Sequence, residues 1–489
     1  MPISTLLGLG IEFAGLGILL FLLLLTGYFV VYRKFLKGTK RLPVKRLLWW
    51  GLFFCYCFVV LGVTILFRAS SLLPEPIHGL FYSYRDAWAH WSLVSWRNII
   101  LNFCMFMPLG FMLPLGTPFF RHGLATGLAG FLFSLFIELI QLITRRGMFE
   151  PDDLLGNTVG TLIGYGLYLL GCWLLRIFLR KQPYRTGKTL LAQLPLLLTV
   201  FVFGCIFLRY QSMELGINPS TYIVPYSSKR FSLKSDYPFS AEKGNGCVYK
   251  TKYLSLTEEK ALAKEIFEAL GVHLREDLID IYDNTTFFHT MEGRYALWVD
   301  HKGGTYQLTD YQTIFSHEEP TPQPVEGASE EELRNALTRW KLTSQAMVSG
   351  ISFEEKENGW YKFTLPSPIP VPSSGNQGEA AMAEADRHYA IGALSCQYYG
   401  EGKIGQLKNQ LIDCKKGKEY PLLSEQEAYE ELKKGRFYYP DTPFLDIYIA
   451  DCKLIFLMDS KGYLQPSYEF TGTINGEDGY LRIPALRRN

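Results

Sequence analysis

Three pairs of polar residues interrupt otherwise apolar stretches of this chain. Asn98 and Asn102 stand at i and i+4, Glu138 and Gln141 at i and i+3, and Asp153 and Asn157 at i and i+4. If the stretches are helical, each spacing puts both side chains on one face. Arg97, Arg145, Arg146 and Asp152 stand beside them. Ionisable groups within lipid-spanning helices are costly and face a bundle interior or a cavity. Together they are the parts of a polar pocket that could hold a headgroup or, through Glu138 and Asp153, move a proton. A plainer role also fits: amides between helices are hydrogen-bond glue, worth on the order of 1 kcal/mol each, and Asp153 can cap the helix it starts. Glu138 suits glue less well, because a buried carboxylate needs a partner or a proton. The sequence calls for no metal and no cofactor.

Six apolar runs are long enough to carry these groups across a bilayer, which takes roughly 20 residues. They are Leu6–Tyr32, Leu47–Phe67, Ile99–Leu115, Leu124–Thr144, Leu154–Phe178 and Leu190–Leu208. The first lacks a basic start and is followed by Arg33, Lys34 and Lys37, so it reads as a span rather than a signal peptide. After Tyr210 the sequence turns charged and Gly- and Pro-punctuated. A chain of 489 residues thus divides into a membrane half and a globular half. The fold class expected is an α-helical polytopic bundle followed by an α+β domain. A net charge of +2 gives no reason to expect a nucleic-acid partner.

Basic residues set the expected orientation. The loop after the first span holds Arg33, Lys34, Lys37, Lys40, Arg41, Lys45 and Arg46. The loop after the fifth holds Arg176, Arg180, Lys181, Arg185 and Lys188. Both are expected in the cytoplasm, which puts the N-terminus, residues 68–97, the loop 145–153 and everything after Tyr210 outside. Arg145 and Arg146 run against the rule, with Glu150, Asp152 and Asp153 near enough in sequence to pair with them. In this topology all three polar pairs fall in the outer half of the bilayer. The aromatic segment 68–97, with Trp88, Trp91 and Trp96, is expected at headgroup level, as a simple anchor before a lid or a lipid-headgroup contact.

Below the polar pairs the helices carry small residues. Gly156, Gly160 and Gly164 repeat every four residues, and Ser134 and Gly130 continue the face of Glu138. Such stripes let helices approach closely. Pro108 frees a backbone carbonyl, a kink signal beside a cavity.

The run Arg97-Asn98-x-x-x-Asn102-x-x-x-Phe106-x-Pro108-x-Gly110-x-x-x-Pro114, with Glu138-x-x-Gln141, Arg146, Asp152-Asp153, Asn157 and Gly160, resembles the VanZ-like family over about residues 47–178. The resemblance implies a cell-envelope role in a Gram-positive bacterium. That family's founding activity is low-level resistance to the lipoglycopeptide teicoplanin. It extends neither to residues 1–46, read as an extra span and basic loop, nor to the sixth span within 179–210.

The globular half contains two related units, expected at 211–365 and 387–489 around a Pro-, Ser- and Gly-rich linker at 366–386. Leu256-Thr257-Glu258-Glu259-Lys260-Ala261 is matched by Leu423-Ser424-Glu425-Gln426-Glu427-Ala428. Asp300-His301-Lys302-Gly303 is matched by Asp459-Ser460-Lys461-Gly462. Ser424 with Glu427 reads as a capping box, and each unit reads as a helix followed by hairpin strands, loosely similar to PepSY-like or cystatin-like modules. Cys247, Cys396, Cys414 and Cys452 allow three pairings if oxidised. His273, His289, His301, His317 and His388 are scattered and read as surface residues, so binding or regulation is expected here rather than catalysis. Three classes of function follow. One is envelope protection through a pocket for a lipid-linked precursor or amphiphilic antibiotic. The others are a membrane enzyme acting on an envelope lipid, and a sensor or scaffold whose repeats meet a surface protein.

Overall fold

The computed structural model describes residues 3–37, 43–66, 77–180, 186–282, 284–315, 322–339, 352–365, 368–370, 388–440 and 442–487. The expected linker at 366–386, apart from 368–370, lies outside them, as do residues 67–76 of the aromatic segment and its approach, residues 38–42 and 181–185 of the basic loops, and His317. The chain forms two compact units, Met1–Glu214 and Leu215–Asn489.

The first unit is helical. Its elements are α1 (Ile3–Gly27), α2 (Val44–Leu61), α3 (Tyr82–Ala89), α4 (Leu93–Gly116), α5 (Gly123–Thr144), α6 (Pro151–Arg180), α7 (Thr186–Leu191) and α8 (Leu194–Ser212). Among the described residues six segments are long and apolar enough to cross a membrane: Gly8–Val31, Val44–Leu66, Leu93–Gly116, Gly123–Thr144, Pro151–Leu179 and Thr186–Ser212. The third begins earlier than its apolar run because Ser92 caps it, its hydroxyl accepting the Ser95 N–H at 3.1 Å. That cap brings Ser95, Arg97 and Asn98 into the helix. Pro151 opens α6 at the position where a missing N–H costs nothing. The last turn of the second span, Gly62–Leu66, is a π-helix, an irregularity frequent at functional sites.

Backbone contact between α4 and α6 organises the bundle. A Cβ on Gly160 would lie 2.3 Å from the Phe103 carbonyl oxygen, and one on Gly164 1.9 Å from that of Met107. Gly110 answers from α4, where a Cβ would meet the Thr161 carbonyl at 1.8 Å, and Gly130 on α5 abuts the Thr161 side chain. Gly156 is different, with its nearest neighbour, Asn102 Cβ, at 3.8 Å. The stripe is therefore a contact seam at two of its three glycines. Pro108 and Pro114 lie inside α4, where nearby carbonyls take side-chain donors: Tyr56 Oη donates to Met105 at 2.9 Å and Trp49 Nε1 to Met112 at 3.1 Å.

The second unit is mixed α/β, with α9 (Leu256–Ala269), α10 (Tyr311–Ile314), α11 (Glu330–Arg339) and α12 (Glu425–Lys433) against two eight-stranded sheets. Both matched segments form helices with capping boxes. The Ser255 and Glu258 pair closes α9, and the Ser424 and Glu427 pair closes α12. Both Gly-containing turns also form. Gly303 and Gly462 take φ of 75° and 81°, and Asp459 accepts the N–H groups of Lys461 and Tyr463 at 2.7 and 2.9 Å. The sheets, however, draw on both expected units. Ile404–Asn409 pairs with Tyr306–Asp310, and Asn245–Thr251 lies between Ile412–Pro421 and Tyr463–Ile474. Left alone, a local helix–hairpin unit would expose the strand edge that these pairings close. One core sets Phe267 of α9 and Leu333 of α11 against Phe288, Leu297 and Leu407. The other sets Leu432 of α12 against Ile447, Phe470 and Leu481.

All four cysteines of this unit are free thiols. Burial pushes those of Cys396, Cys414 and Cys452 up to about 12, which leaves them protonated and unreactive. His301 is not the surface residue its sequence suggests. Its Nδ1 lies 2.6 Å from Oε1 of the buried Glu259, which also accepts the Thr286 hydroxyl at 2.6 Å. Burial opposes the charged ring, but the Tyr282 carbonyl and the Glu259 carboxylate outweigh it, so the His301 pKa is raised. A raised folded pKa gives stability that is complete below the unfolded value of about 6.5 and disappears as pH climbs through the folded one. Replacing His301 by Gln should therefore lower the melting temperature of this unit more at pH 5.5 than at pH 8.5. An equal loss at both pH values would show that the ring carries no charge in the fold.

Candidate functional site

A cavity of about 1070 Å³ opens among the helices at the end of the bundle where α4 and α6 begin and α5 ends. Asn98, Asn102, Arg146, Asp152 and Asp153 line it together, with Arg145. Arg97, Glu138, Gln141 and Asn157 do not; Glu138 and Gln141 bond to residues that do, Glu150 and Thr64.

The lining carboxylates are held by donors from separate elements. Asn102 Nδ2 donates to Asp153 Oδ1 at 2.6 Å, joining α4 to α6. Asp152, 5% exposed, accepts the N–H groups of Phe81 and Ser83, the latter at 2.8 Å. It thus caps α3, a helix distant in sequence, rather than the helix it begins. Ser83 Oγ donates to Glu150 Oε2 at 3.2 Å. The aromatic segment consequently supplies a wall through Tyr82, Ser83 and Asp86. At its other end Trp91 stacks on Tyr210 of α8, with ring centroids 3.4 Å apart. Burial, with Asp152 and Asp153 beside it, pushes the Tyr84 hydroxyl up to about 12.

The residues outside the cavity lining hold the frame. Glu138, 2% exposed, accepts the Glu150 N–H at 2.9 Å and so fixes the loop between α5 and α6. Gln141 Nε2 donates to the Thr64 carbonyl at 2.9 Å, meeting the π-helical end of the second span. Asn157 Nδ2 donates to Ser134 Oγ at 2.9 Å, while its buried Oδ1 has no partner among the described residues. Arg97 is half-buried just before Asn98.

Three bulky residues hold left-handed backbone: Phe81 (φ 66°) and Trp91 (φ 43°) on either side of α3, and Arg145 (φ 54°), which lines the cavity, at the end of α5. Each costs on the order of 1–3 kcal/mol, strain that gathers at functional sites. The cavity floor is apolar, from Val59 and Val63 of the second span and Leu101 and Met105 of α4. Polar walls over an apolar floor suit an amphiphile.

Sequence reading missed Thr64, Ser83, Asp86 and Glu150 as parts of this site. Asp86 and Glu150 carried a signal, as charges beside apolar segments. Thr64 takes part through its carbonyl, which residue type does not announce.

By class, this is a polytopic membrane protein, with six helices apolar enough to span among the described residues and a C-terminal domain of mixed helices and sheets. Residues 52–178, from α2 through nearly all of α6, match the VanZ/LLP1 family model. No curated protein matches the chain. Among solved structures, an uncharacterized protein from Eubacterium rectale is similar at 9% identity and a TM-score of 0.25, over 52% of this chain and 87% of that one. The C-terminal domain of YpeB from Bacillus megaterium is similar at 12% identity and a TM-score of 0.19, over 48% of this chain and 94% of that one. Likeness at that level does not define a shared fold.

Proposed function

We propose that this is a cell-envelope protein whose cavity takes the head of an amphiphile at the outer face of the membrane. The amphiphile is a lipid-linked envelope precursor or a lipoglycopeptide of the teicoplanin type. The observation that carries this reading is the single cavity in which Asn98, Asn102, Arg146, Asp152 and Asp153 meet above an apolar floor. The VanZ/LLP1 match over the same helices supports a link to antibiotic resistance. The basic residues of the two loops support the orientation, which puts the N-terminus and the C-terminal domain outside.

The test is a deletion strain. Loss of the gene is expected to raise teicoplanin sensitivity several-fold and to change the pool of lipid-linked precursors, and the intact gene should restore both. Unchanged sensitivity together with unchanged pools would overturn the proposal.

A further inference from the structure

The loop Arg145–Met148 is where the charge of the cavity is least met. Arg145 ends α5 in the left-handed region, the position after a helix that glycine takes most readily. Its N–H donates to the Leu142 carbonyl and that of Arg146 to the Gln141 carbonyl. A long cationic side chain therefore stands where the backbone favours none. Among the described residues neither guanidinium is ion-paired; the contact made by Arg146 is to the Ile65 carbonyl at 3.5 Å. The backbone N–H groups of Gly147 and Met148, which also line the cavity, likewise donate to no acceptor among the described residues. The carboxylates of the other walls are already engaged. Asp152 is met by backbone N–H groups, Asp153 by Asn102, Glu150 by Ser83 and Asp86 by the His90 ring at 3.0 Å.

Resting on the reading of the cavity as an amphiphile site, we infer that this loop seats the phosphate of a phosphate-headed lipid. Two guanidinium groups and two adjacent backbone N–H groups can converge on phosphate oxygens, the first by charge-assisted bonds and the second as an anion-binding concavity. The lipid chain follows the apolar floor of Val59, Val63, Leu101 and Met105. An arginine pair on the side of the membrane where short loops disfavour basic residues is then explained by its ligand.

Retention of radiolabelled phosphatidic acid, diacylglycerol and inorganic phosphate by the purified full chain in non-ionic detergent tests this. Phosphatidic acid should bind on the order of tenfold more tightly than diacylglycerol, as one or two charge-assisted bonds imply. Inorganic phosphate should bind more weakly than either lipid. Replacing both Arg145 and Arg146 by Gln should erase the preference for phosphatidic acid over diacylglycerol. Arg145→Gly, which relaxes the backbone at that position, should fold as well as the parent and lose part of the preference, so a poorly folding double variant still leaves a decisive arm. Equal retention of the two lipids would overturn the phosphate seat and leave the amphiphile cavity standing. Retention of neither lipid would overturn both. Inorganic phosphate bound as tightly as phosphatidic acid would overturn the lipid as its source, and a preference that survives in both variants would overturn the loop as its seat.

Discussion

Gly164→Leu is expected to abolish accumulation of the protein in the membrane. The Cβ alone would fall 1.9 Å from the Met107 carbonyl oxygen, well inside any allowed contact. Neither helix can yield cheaply, because the neighbouring turns are equally close at Gly160 against Phe103 and at Gly110 against Thr161. Parting α4 from α6 would also pull Asn102 from Asp153, and overpacking of even well-tolerated cores costs roughly 1–3 kcal/mol before such a separation is counted. Gly156→Ala is the matched control. Its nearest neighbour stands at 3.8 Å, and Ala is the better helix former by about 1 kcal/mol, so that variant should accumulate like the parent. Quantitative blotting of membrane fractions compares the two. Normal accumulation of Gly164→Leu would show that α4 and α6 are not in backbone contact.

The six spans were legible because twenty-residue apolar runs leave little choice of structure in lipid. The polar pairs were legible as faces because i, i+3 and i, i+4 spacing survives any detail of packing. What the spacing does not show is which face opens on the cavity. Glu138, the most suspect carboxylate in the sequence, is buried outside the cavity lining and holds the Glu150 N–H, whereas Asp153 lines the cavity itself. Asp152 illustrates why. Its partners are the backbone N–H groups of Phe81 and Ser83, which every residue but proline possesses, so no residue type marks them. The same holds for Gln141 and the Thr64 carbonyl.

In the globular half the helix caps and glycine turns are local, and local signals reveal them. Strand partnership is not local. Asn245–Thr251 finds Ile412–Pro421 far along the chain, and alternation tells which face of a strand is buried without telling its neighbour. Two similar helix–hairpin segments are therefore visible in the sequence, while the exchange of strands that builds both sheets is not.

The central claim is that the cavity acts through its polar walls, and Asp153→Asn tests it most directly. The side chain lines the cavity and accepts from Asn102 Nδ2 at 2.6 Å. An amide keeps an oxygen for that bond and nearly the same shape, so the bundle should assemble, while the charge at the cavity wall is gone. In the deletion strain, a copy carrying Asp153→Asn should reach the membrane at the parental level and fail to restore teicoplanin tolerance and precursor pools. Full restoration by Asp153→Asn would contradict the claim and reduce the residue to a hydrogen bond between helices.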